Sequence, residues 1–244
     1  MGMPVTLEVI DPSATEALLD TVFNYFSYVD DTFSTYKENS EISRINNHKL
    51  PLEHASDDMK TVFDLAEKTR LATDGFFNIR HEDCYDPSGL VKGWAIYNAS
   101  EILLQKGMKN FYVDAGGDVQ VAGRNHQDQN WRIGIRNPFD PEQIVKVLSV
   151  SNCGVATSGT YVRGQHIYNP KNEKQPLTEI KSLTVIGPDI FEADRFATAA
   201  FAMSSDGINF IERLPGFEGY MIDKDQRATF TSGFERYVIH DQAN

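Results

Sequence analysis

The sequence NFYVDAGGDVQVAG, at residues 110–123, has apolar side chains at alternating positions and predicts a β-strand interrupted by two glycines. Three more strand-like segments follow it: WRIGIRNP at 131–138, VLSVS at 147–151 and SLTVIG at 182–187. These strands do not alternate strictly with helices, as the strands of a doubly wound parallel sheet would. We therefore predict an α+β fold of mixed, largely antiparallel sheets with flanking helices.

Apolar residues at helical spacing predict helices on both sides of these strands. The segment 57–75, DDMKTVFDLAEKTRLATDG, ends in a glycine, and a further helix at about 90–106 is closed by Gly107. Ser40 predicts the start of a short helix. The remaining predicted elements are strands at 4–10, 219–225 and 227–231 and helical segments at 12–34, 191–205 and 206–214.

The length and composition are those of a chain with a substantial core. It has 244 residues, 41% of them apolar, and it contains no linker-like run of Pro, Gly or Ser and no repeated unit. We expect one domain spanning residues 1–244. The formal net charge of −12 argues against a nucleic-acid-binding protein, because binding to a phosphate backbone needs clustered Lys and Arg. A phosphate bound here would need local help from a few cations, backbone N–H groups or a metal ion.

The two cysteines, Cys84 and Cys153, do not have the spacing of a zinc site or a disulfide framework, and we expect inert thiols. The N-terminal MGMPVTLEVID alternates like a strand and lacks the basic and apolar regions of a signal peptide. No apolar run approaches the ~20 residues of a transmembrane helix. We expect a soluble cytoplasmic protein, or an extracytoplasmic one if a leader has been removed.

Asp194 and Thr198 are the first pair that could carry chemistry. They are four positions apart in FEADRFATAAFAMSS, so on a helix their side chains lie on the same face, one turn apart. Two oxygen ligands would then converge as Mg²⁺ prefers. Alternatively, Asp194 is an N-cap and Thr198 bonds back to a carbonyl of its own helix. The spacing alone does not decide between these readings.

The segment YDPSGLVKGW, residues 85–94, places an aspartate, a turn and Lys92 at a helix N-terminus, which suits an anionic phosphate. The alternative is a turn capped by Asp86 or Ser88, with Lys92 solvated. The two glycines of DAGGD, residues 114–118, mark a bulge or a close approach of the backbone to a ligand or to another element.

Two further side chains have both a functional and a structural interpretation. His166, in VATSGTYVRGQHIYNPKN, could accept a proton from an attacking hydroxyl, although a lone histidine is more often structural. Tyr36, in FSTYKENSEISRIN, could stack on a flat ring. Its polar neighbours predict that it is exposed.

The order of these motifs resembles the ApbE family, the FAD:protein FMN transferases. The resemblance covers essentially residues 1–205. It is carried by MGM, FSTYKENSEISRIN, TDGFFN, DPSGLVKGWA, AGGDVQVAG, WRIGIRNP, VATSGTYVRGQHIYNP, SLTVIGP and ADRFATAAF.

The resemblance implies an enzyme that binds FAD, splits its pyrophosphate with Mg²⁺, and passes FMN to a threonine or serine hydroxyl of an acceptor protein. By the same resemblance Asp194 and Thr198 are metal ligands through their side chains, and Gly89 is one through its backbone carbonyl. Asp194 thereby belongs to the catalytic set, together with His166 as a base for the acceptor hydroxyl. The residues implied in flavin-nucleotide binding are Met1, Tyr36, Phe76, Phe77, Asn78, Asp86 and Lys92.

The chain departs from the family pattern after His166. The family usually has Asp-Pro followed by Thr-Gly there, whereas this chain has Asn169, Pro170, Lys171 and Asn172. The substitution leaves open the role of the usual aspartate and the shape of the loop. Two other functions fit the same pocket: a Mg²⁺-dependent FAD pyrophosphatase that uses water as nucleophile, and a non-catalytic FAD-binding protein.

Overall fold

A seven-stranded sheet forms the centre of the computed structural model, which describes residues 2–81, 83–159, 167–172 and 176–240. Each strand pair in the described part of the chain is antiparallel. The strands are β1 Val5–Val9, β2 Arg80–His81, β3 Cys84–Tyr85, β4 Phe111–Ala115, β5 Asp118–Ala122, β6 Trp131–Asn137, β7 Asp140–Val150, β8 Cys153–Gly159, β9 Ile180–Gly187, β10 Glu218–Asp223 and β11 Ala228–Phe230.

The α-helices that the structure describes flank this sheet. They are α1 Glu16–Phe33, α2 Glu41–Asn46, α3 Asp57–Ala72, α4 Ser88–Gln105, α5 Ile190–Ala202 and α6 Gly207–Glu212. The strand order in the large sheet is β1-β4-β5-β8-β9-β10-β11, while β2 pairs with β3 and β6 with β7 in two small sheets. The prediction of an α+β fold with antiparallel sheets is confirmed. The assignment of residues 1–244 to one domain stays a prediction.

The two faces of the large sheet are covered by different layers. Helices α4 and α5 pack on one face, where Leu90, Ile96 and Phe201 belong to a large apolar core. The β6–β7 hairpin covers part of the other face with a second core around Trp131 and Leu148. All five residues of β5 are buried, as expected for a strand covered on both faces.

The segment at 110–123 is two strands joined by a tight turn rather than one interrupted strand. Phe111 pairs with Ala122 across this hairpin. Its turn is made by Gly116 and Gly117 at φ +65° and +95°, angles that glycine adopts without a Cβ penalty. Gly116 also faces Met3, whose sulfur lies 2.9 Å from where a Cβ would stand. The close approach that the glycines predict is therefore to the N-terminal segment.

Strand β7 begins seven residues earlier than the predicted strand at 147–151. Its first five residues, 140–144, are exposed and do not alternate, so no periodicity reveals them. They are extended because they continue the pairing with β6, as at Arg136 and Ile144. In the part of the chain that the structure describes, no helix has the length and apolar character needed to cross a bilayer.

Candidate active site

A cavity of about 870 Å³ opens between α4, α5 and the two hairpins. This volume lies in the upper range for small-molecule sites, so the cavity is large enough for a ligand the size of a dinucleotide. Its walls come from distant parts of the sequence. They include Met3 and Thr6, residues 76–78, the start of α4, the β4–β5 turn, the β6–β7 hairpin, the end of β8, residues 167–170 and α5.

Helices α4 and α5 touch at a glycine. A Cβ built on Gly93 would lie 2.6 Å from the Cβ of Asp194 and 2.8 Å from the backbone oxygen of Ile190. Both distances are shorter than any real carbon contact, so only glycine allows this approach. The Gly93 N–H donates a 2.8 Å hydrogen bond to Asp194 Oδ2. The glycine therefore both admits the aspartate and orients it.

One turn away on each helix, Gly89 faces Thr198. The Thr198 hydroxyl donates to the Gly89 carbonyl oxygen at 3.2 Å. The N-cap of α5 is Asp189, whose Oδ1 accepts from the Glu192 N–H at 2.9 Å. Asp194 is thus inside the helix, and Thr198 bonds across to α4. The alternative that Asp194 is an N-cap and that Thr198 bonds back to its own helix is therefore wrong for both residues.

Asp194, Thr198 and Gly89 all line the cavity, where α4 and α5 meet. A carboxylate, a hydroxyl and a carbonyl are hard oxygen donors, and Mg²⁺ commonly takes one or two carboxylates with substrate phosphates and water completing its octahedron. This donor set therefore fits magnesium. Among the described residues no group of three or more His, Cys, Asp or Glu side chains is arranged to hold a metal ion.

Lys92, the residue before Gly93, lies between two buried carboxylates. Its Nζ is 2.5 Å from Asp118 Oδ2 and 3.6 Å from Asp194 Oδ1. Only 19% of the Lys92 side chain is exposed, so the interpretation of a solvated lysine is wrong. Burial raises the pKa of Asp194 above its usual range; Lys92 opposes this shift, and Asp118 adds to it.

Asp118 is a site residue that the sequence analysis did not assign. It is 1% exposed, and its Oδ1 accepts from the Thr157 N–H at 3.0 Å. Its Oδ2 has no aligned hydrogen bond from a described residue, so the close ion pair with Lys92 provides its neutralisation. One feature of the sequence could have indicated Asp118: it is the carboxylate that ends DAGGD, at the start of a predicted strand. That strand is buried along its whole length, and a buried carboxylate needs a partner for its charge.

The start of α4 contributes a second polar wall. Asp86 Oδ1 accepts from the Ser88 N–H at 3.0 Å, so Asp86 caps the turn as well as facing the cavity. Phe76, Phe77 and Asn78 lie beside it on the lining. The structure therefore brings these residues together with Lys92 and the metal-type oxygens, while their contact with a flavin stays a prediction.

The described part of the cavity lining does not include three of the predicted site residues. Tyr36 is 98% exposed and is absent from the cavity lining as far as the described residues define it. Met1 and His166 fall outside the described residues, although Gly2 and Ile167 beside them line the cavity. The roles of these three residues stay predictions.

The residues that depart from the family pattern after His166 fit the local structure. Asn169 Oδ1 accepts from the Lys171 N–H at 2.9 Å, a local turn that an aspartate carboxylate makes equally well. Tyr168 donates its hydroxyl to the Asn78 carbonyl at 3.0 Å, and Lys171 pairs with Asp74 at 2.6 Å. These contacts hold residues 167–172 against residues 74–78, and Asn169 is compatible with this arrangement.

The hairpin wall carries positive charge. Arg132 and Arg136 lie on the exposed face of β6, with Gly134 between them, and all three line the cavity. Arg136 Nη1 donates to the Pro141 carbonyl at 3.1 Å. No ion pair with another described residue neutralises either arginine. In a chain of net charge −12, this face can attract an anionic ligand.

Comparison with known proteins places this geometry in a family. Among curated proteins, the chain is similar to the FAD:protein FMN transferase of Salmonella typhimurium, with 26% identity over 169 residues, 64% of this chain and 48% of the relative. It is 29% identical to the enzyme of that name from Klebsiella pneumoniae over 150 residues, 57% of this chain and 43% of the relative. The matches span about half the length of these curated relatives.

Solved structures show the same fold. The flavin transferase ApbE from Vibrio cholerae superimposes with a TM-score of 0.84 at 23% identity, covering 97% of this chain and 96% of that one. An ApbE protein from Thermotoga maritima gives a TM-score of 0.86 at 20% identity, covering 98% and 97%. A sequence model described as the ApbE family matches residues 1–85 and 81–221. The chain therefore belongs to the ApbE family.

Proposed function

We propose that this protein transfers FMN from FAD to a threonine or serine hydroxyl of an acceptor protein, with Mg²⁺ bound and AMP released. The observation that carries the proposal is the convergence of Asp194, Thr198 and Gly89 oxygens beside Lys92 in one large cavity. Family relatives named FAD:protein FMN transferases support the choice of substrate.

The reaction is a phosphoryl transfer. The acceptor oxygen bonds to the phosphorus of the FMN half, the bond from that phosphorus to the bridging oxygen breaks, and AMP leaves with the electron pair. The hydroxyl proton goes to a base, for which we propose His166. A base within hydrogen-bond reach contributes roughly 10²- to 10⁴-fold to such a step.

The metal would be held by Asp194, Thr198 and the Gly89 carbonyl, and when bound it would supply positive charge to the phosphoryl oxygens. Lys92 is already directed into the same part of the cavity and adds a second cation. Catalysis of this type depends on charge neutralisation and alignment more than on covalent chemistry. A preformed arrangement of buried oxygens and one ammonium therefore suits it.

The flavin ring would lie against Phe76, Phe77 and Asn78, with Met1 completing the pocket and Asp86 holding the nucleotide. Arg132 and Arg136 on the β6–β7 hairpin make another part of the lining electropositive. Both features favour an anionic ligand that carries a flat aromatic group.

The test is incubation with FAD, Mg²⁺ and a purified protein that carries the threonine-containing flavinylation motif. A fluorescent acceptor band on a denaturing gel together with AMP supports transfer. Free FMN with AMP and no labelled acceptor would replace transfer by hydrolysis, and unchanged FAD would leave only binding.

An aspartate pair on α5 supplies the matched variants. Asp194→Ala should lose transfer while its circular dichroism stays that of the wild type, because it removes the only carboxylate of the proposed metal site. Asp189→Ala removes the cap of the same helix and leaves the cavity unchanged, so its transfer rate per folded molecule should be retained. Normal turnover by Asp194→Ala would contradict the metal assignment.

A further inference from the structure

Lys92 is held unequally by its two carboxylates. Its Nζ is 2.5 Å from Asp118 Oδ2 and 3.6 Å from Asp194 Oδ1. Asp118 cannot easily follow a moving lysine, because its other oxygen is fixed by the Thr157 N–H and it is 1% exposed. The ammonium therefore stays on the Asp118 side of the gap between the carboxylates.

The position of Lys92 matters for Asp194. Oδ2 of Asp194 is occupied by the Gly93 N–H at 2.8 Å, which leaves Oδ1 as the oxygen that faces Lys92. An ammonium in direct contact with Oδ1 would compete with a divalent cation for the same lone pairs and would repel it. At 3.6 Å the ammonium is beyond hydrogen-bond distance, so Lys92 does not take up the lone pairs of Oδ1.

We propose that Asp118 is a positioning residue that holds the Lys92 ammonium away from Asp194 Oδ1, so that this oxygen can take a divalent cation. The inference rests on the proposed metal site. Asp118 draws the lysine to one side and keeps its charge available for an anionic ligand in the cavity. Without Asp118, we expect Lys92 to move onto Asp194, the second buried carboxylate with which it already forms an ion pair.

A competing role for Asp118 is direct coordination. Its Oδ2 lacks an aligned hydrogen bond from a described residue, which is also what an extra metal ligand would show. The two roles predict different behaviour when Lys92 is removed. If Asp118 acts through Lys92, replacing Asp118 lowers the Mg²⁺ affinity only while Lys92 is present. If Asp118 is a ligand, replacing it lowers the Mg²⁺ affinity with or without Lys92.

The experiment measures the Mg²⁺ affinity of the full chain by isothermal titration calorimetry with Mg²⁺ alone, without flavin or acceptor. Four proteins form a cycle: wild type, Asp118→Asn, Lys92→Met and the double variant. Asparagine keeps the acceptor for the Thr157 N–H and removes the charge. We expect Asp118→Asn to weaken Mg²⁺ binding by about tenfold, as disturbing groups behind a metal ligand commonly does.

In the Lys92→Met background, the same substitution should change the affinity by less than about twofold, because additivity fails for residues that act through each other. An equal loss in both backgrounds would overturn the proposal and make Asp118 a ligand. Wild-type affinity in the single variant would overturn it as well. Lys92→Gln is a second neutral replacement should the methionine variant fail to fold by circular dichroism.

Two controls separate this result from other causes. Asp114→Asn removes a carboxylate from the same cavity wall, where it accepts from the Gly117 N–H, and it has no ion pair with Lys92 among the described contacts. It should bind Mg²⁺ within about twofold of the wild type if long-range charge is a minor contribution, as screening predicts. Asp194→Ala tests the metal site itself, so an unchanged Mg²⁺ affinity there would refute the proposed function rather than the role of Asp118.

Discussion

Replacing Gly93 by alanine tests the close contact between α4 and α5 most directly. The new Cβ would stand 2.6 Å from Asp194 Cβ and 2.8 Å from the Ile190 carbonyl oxygen. Carbon atoms in contact are normally about 3.5–4.0 Å apart, so the helices must separate by about 1 Å. That shift would stretch the Gly93–Asp194 hydrogen bond and the 3.2 Å contact between Thr198 and Gly89.

The expected cost follows from three contributions. Overpacking of a tight contact costs about 1–3 kcal/mol. Weakening a buried hydrogen bond to a charged group costs about 1.5–3 kcal/mol. Alanine returns about 1 kcal/mol because it is the better helix former. The net loss in the free energy of unfolding should be about 3 kcal/mol, which lowers the melting temperature of a chain of this size by roughly 6–12 °C.

Differential scanning calorimetry measures the melting temperature, and Gly89→Ala is the matched control. At Gly89 the nearest atom to the new Cβ is a methyl carbon, Thr198 Cγ2, at 3.2 Å. A shift of a few tenths of an ångström relieves that contact, so the gain in helix propensity should offset most of the cost. If Gly93→Ala melted at or above the wild-type temperature, the argument for a glycine-dependent helix contact would be refuted.

Three other outcomes are expected. Thr198→Val keeps the shape of the side chain but removes the hydroxyl, and should weaken Mg²⁺ binding in calorimetry by about tenfold, equivalent to ~1.4 kcal/mol; unchanged affinity would exclude Thr198 as a ligand. Chelation with EDTA should stop both acceptor labelling and AMP release, and added Mg²⁺ should restore them, whereas labelling that persists in EDTA would show a metal-independent reaction. Asp189→Ala should lower the free energy of unfolding by about 1 kcal/mol through loss of the α5 cap; a change below about 0.3 kcal/mol would mean that the 2.9 Å cap bond is not stabilising.

Local signals in the sequence predicted most of the helix boundaries. Ser40 does cap α2, with its hydroxyl accepting from the Ser43 N–H, as the prediction of a helix start there requires. Gly75 and Gly107 do follow the ends of their helices with φ of +78° and +83°. Such features depend on neighbouring residues alone, so a single sequence contains enough information to find them.

Pairing between strands was less predictable. The two halves of 110–123 appeared as one strand because both alternate with the same period, and only the conformation of Gly116 and Gly117 separates them. The exposed beginning of β7 has no pattern of its own and is extended because β6 is beside it. In both cases the deciding interaction joins residues across a turn, which periodicity does not describe.

The candidate site was only partly predictable, because it too depends on contacts between residues that are far apart in the sequence. The spacing of Asp194 and Thr198 places them on one helix face, but their partners Gly93 and Gly89 lie on another helix. The family resemblance supplied the link to Gly89, whereas the contact with Gly93 was not predicted. Asp118 was missed because its importance comes from the ion pair with Lys92, and neither residue indicates the other by spacing.

The cavity joins Met3 and Thr6, early in the sequence, to Asp194 and Thr198 on α5. A nascent polypeptide still lacking α5 would have neither the carboxylate nor the final wall, so it could not retain a ligand during synthesis. Binding would begin only after translation has passed this helix. From then on a ligand at 100 times its dissociation constant would favour the completed fold by about 2.7 kcal/mol, so ligand binding would stabilise the protein only late in its synthesis.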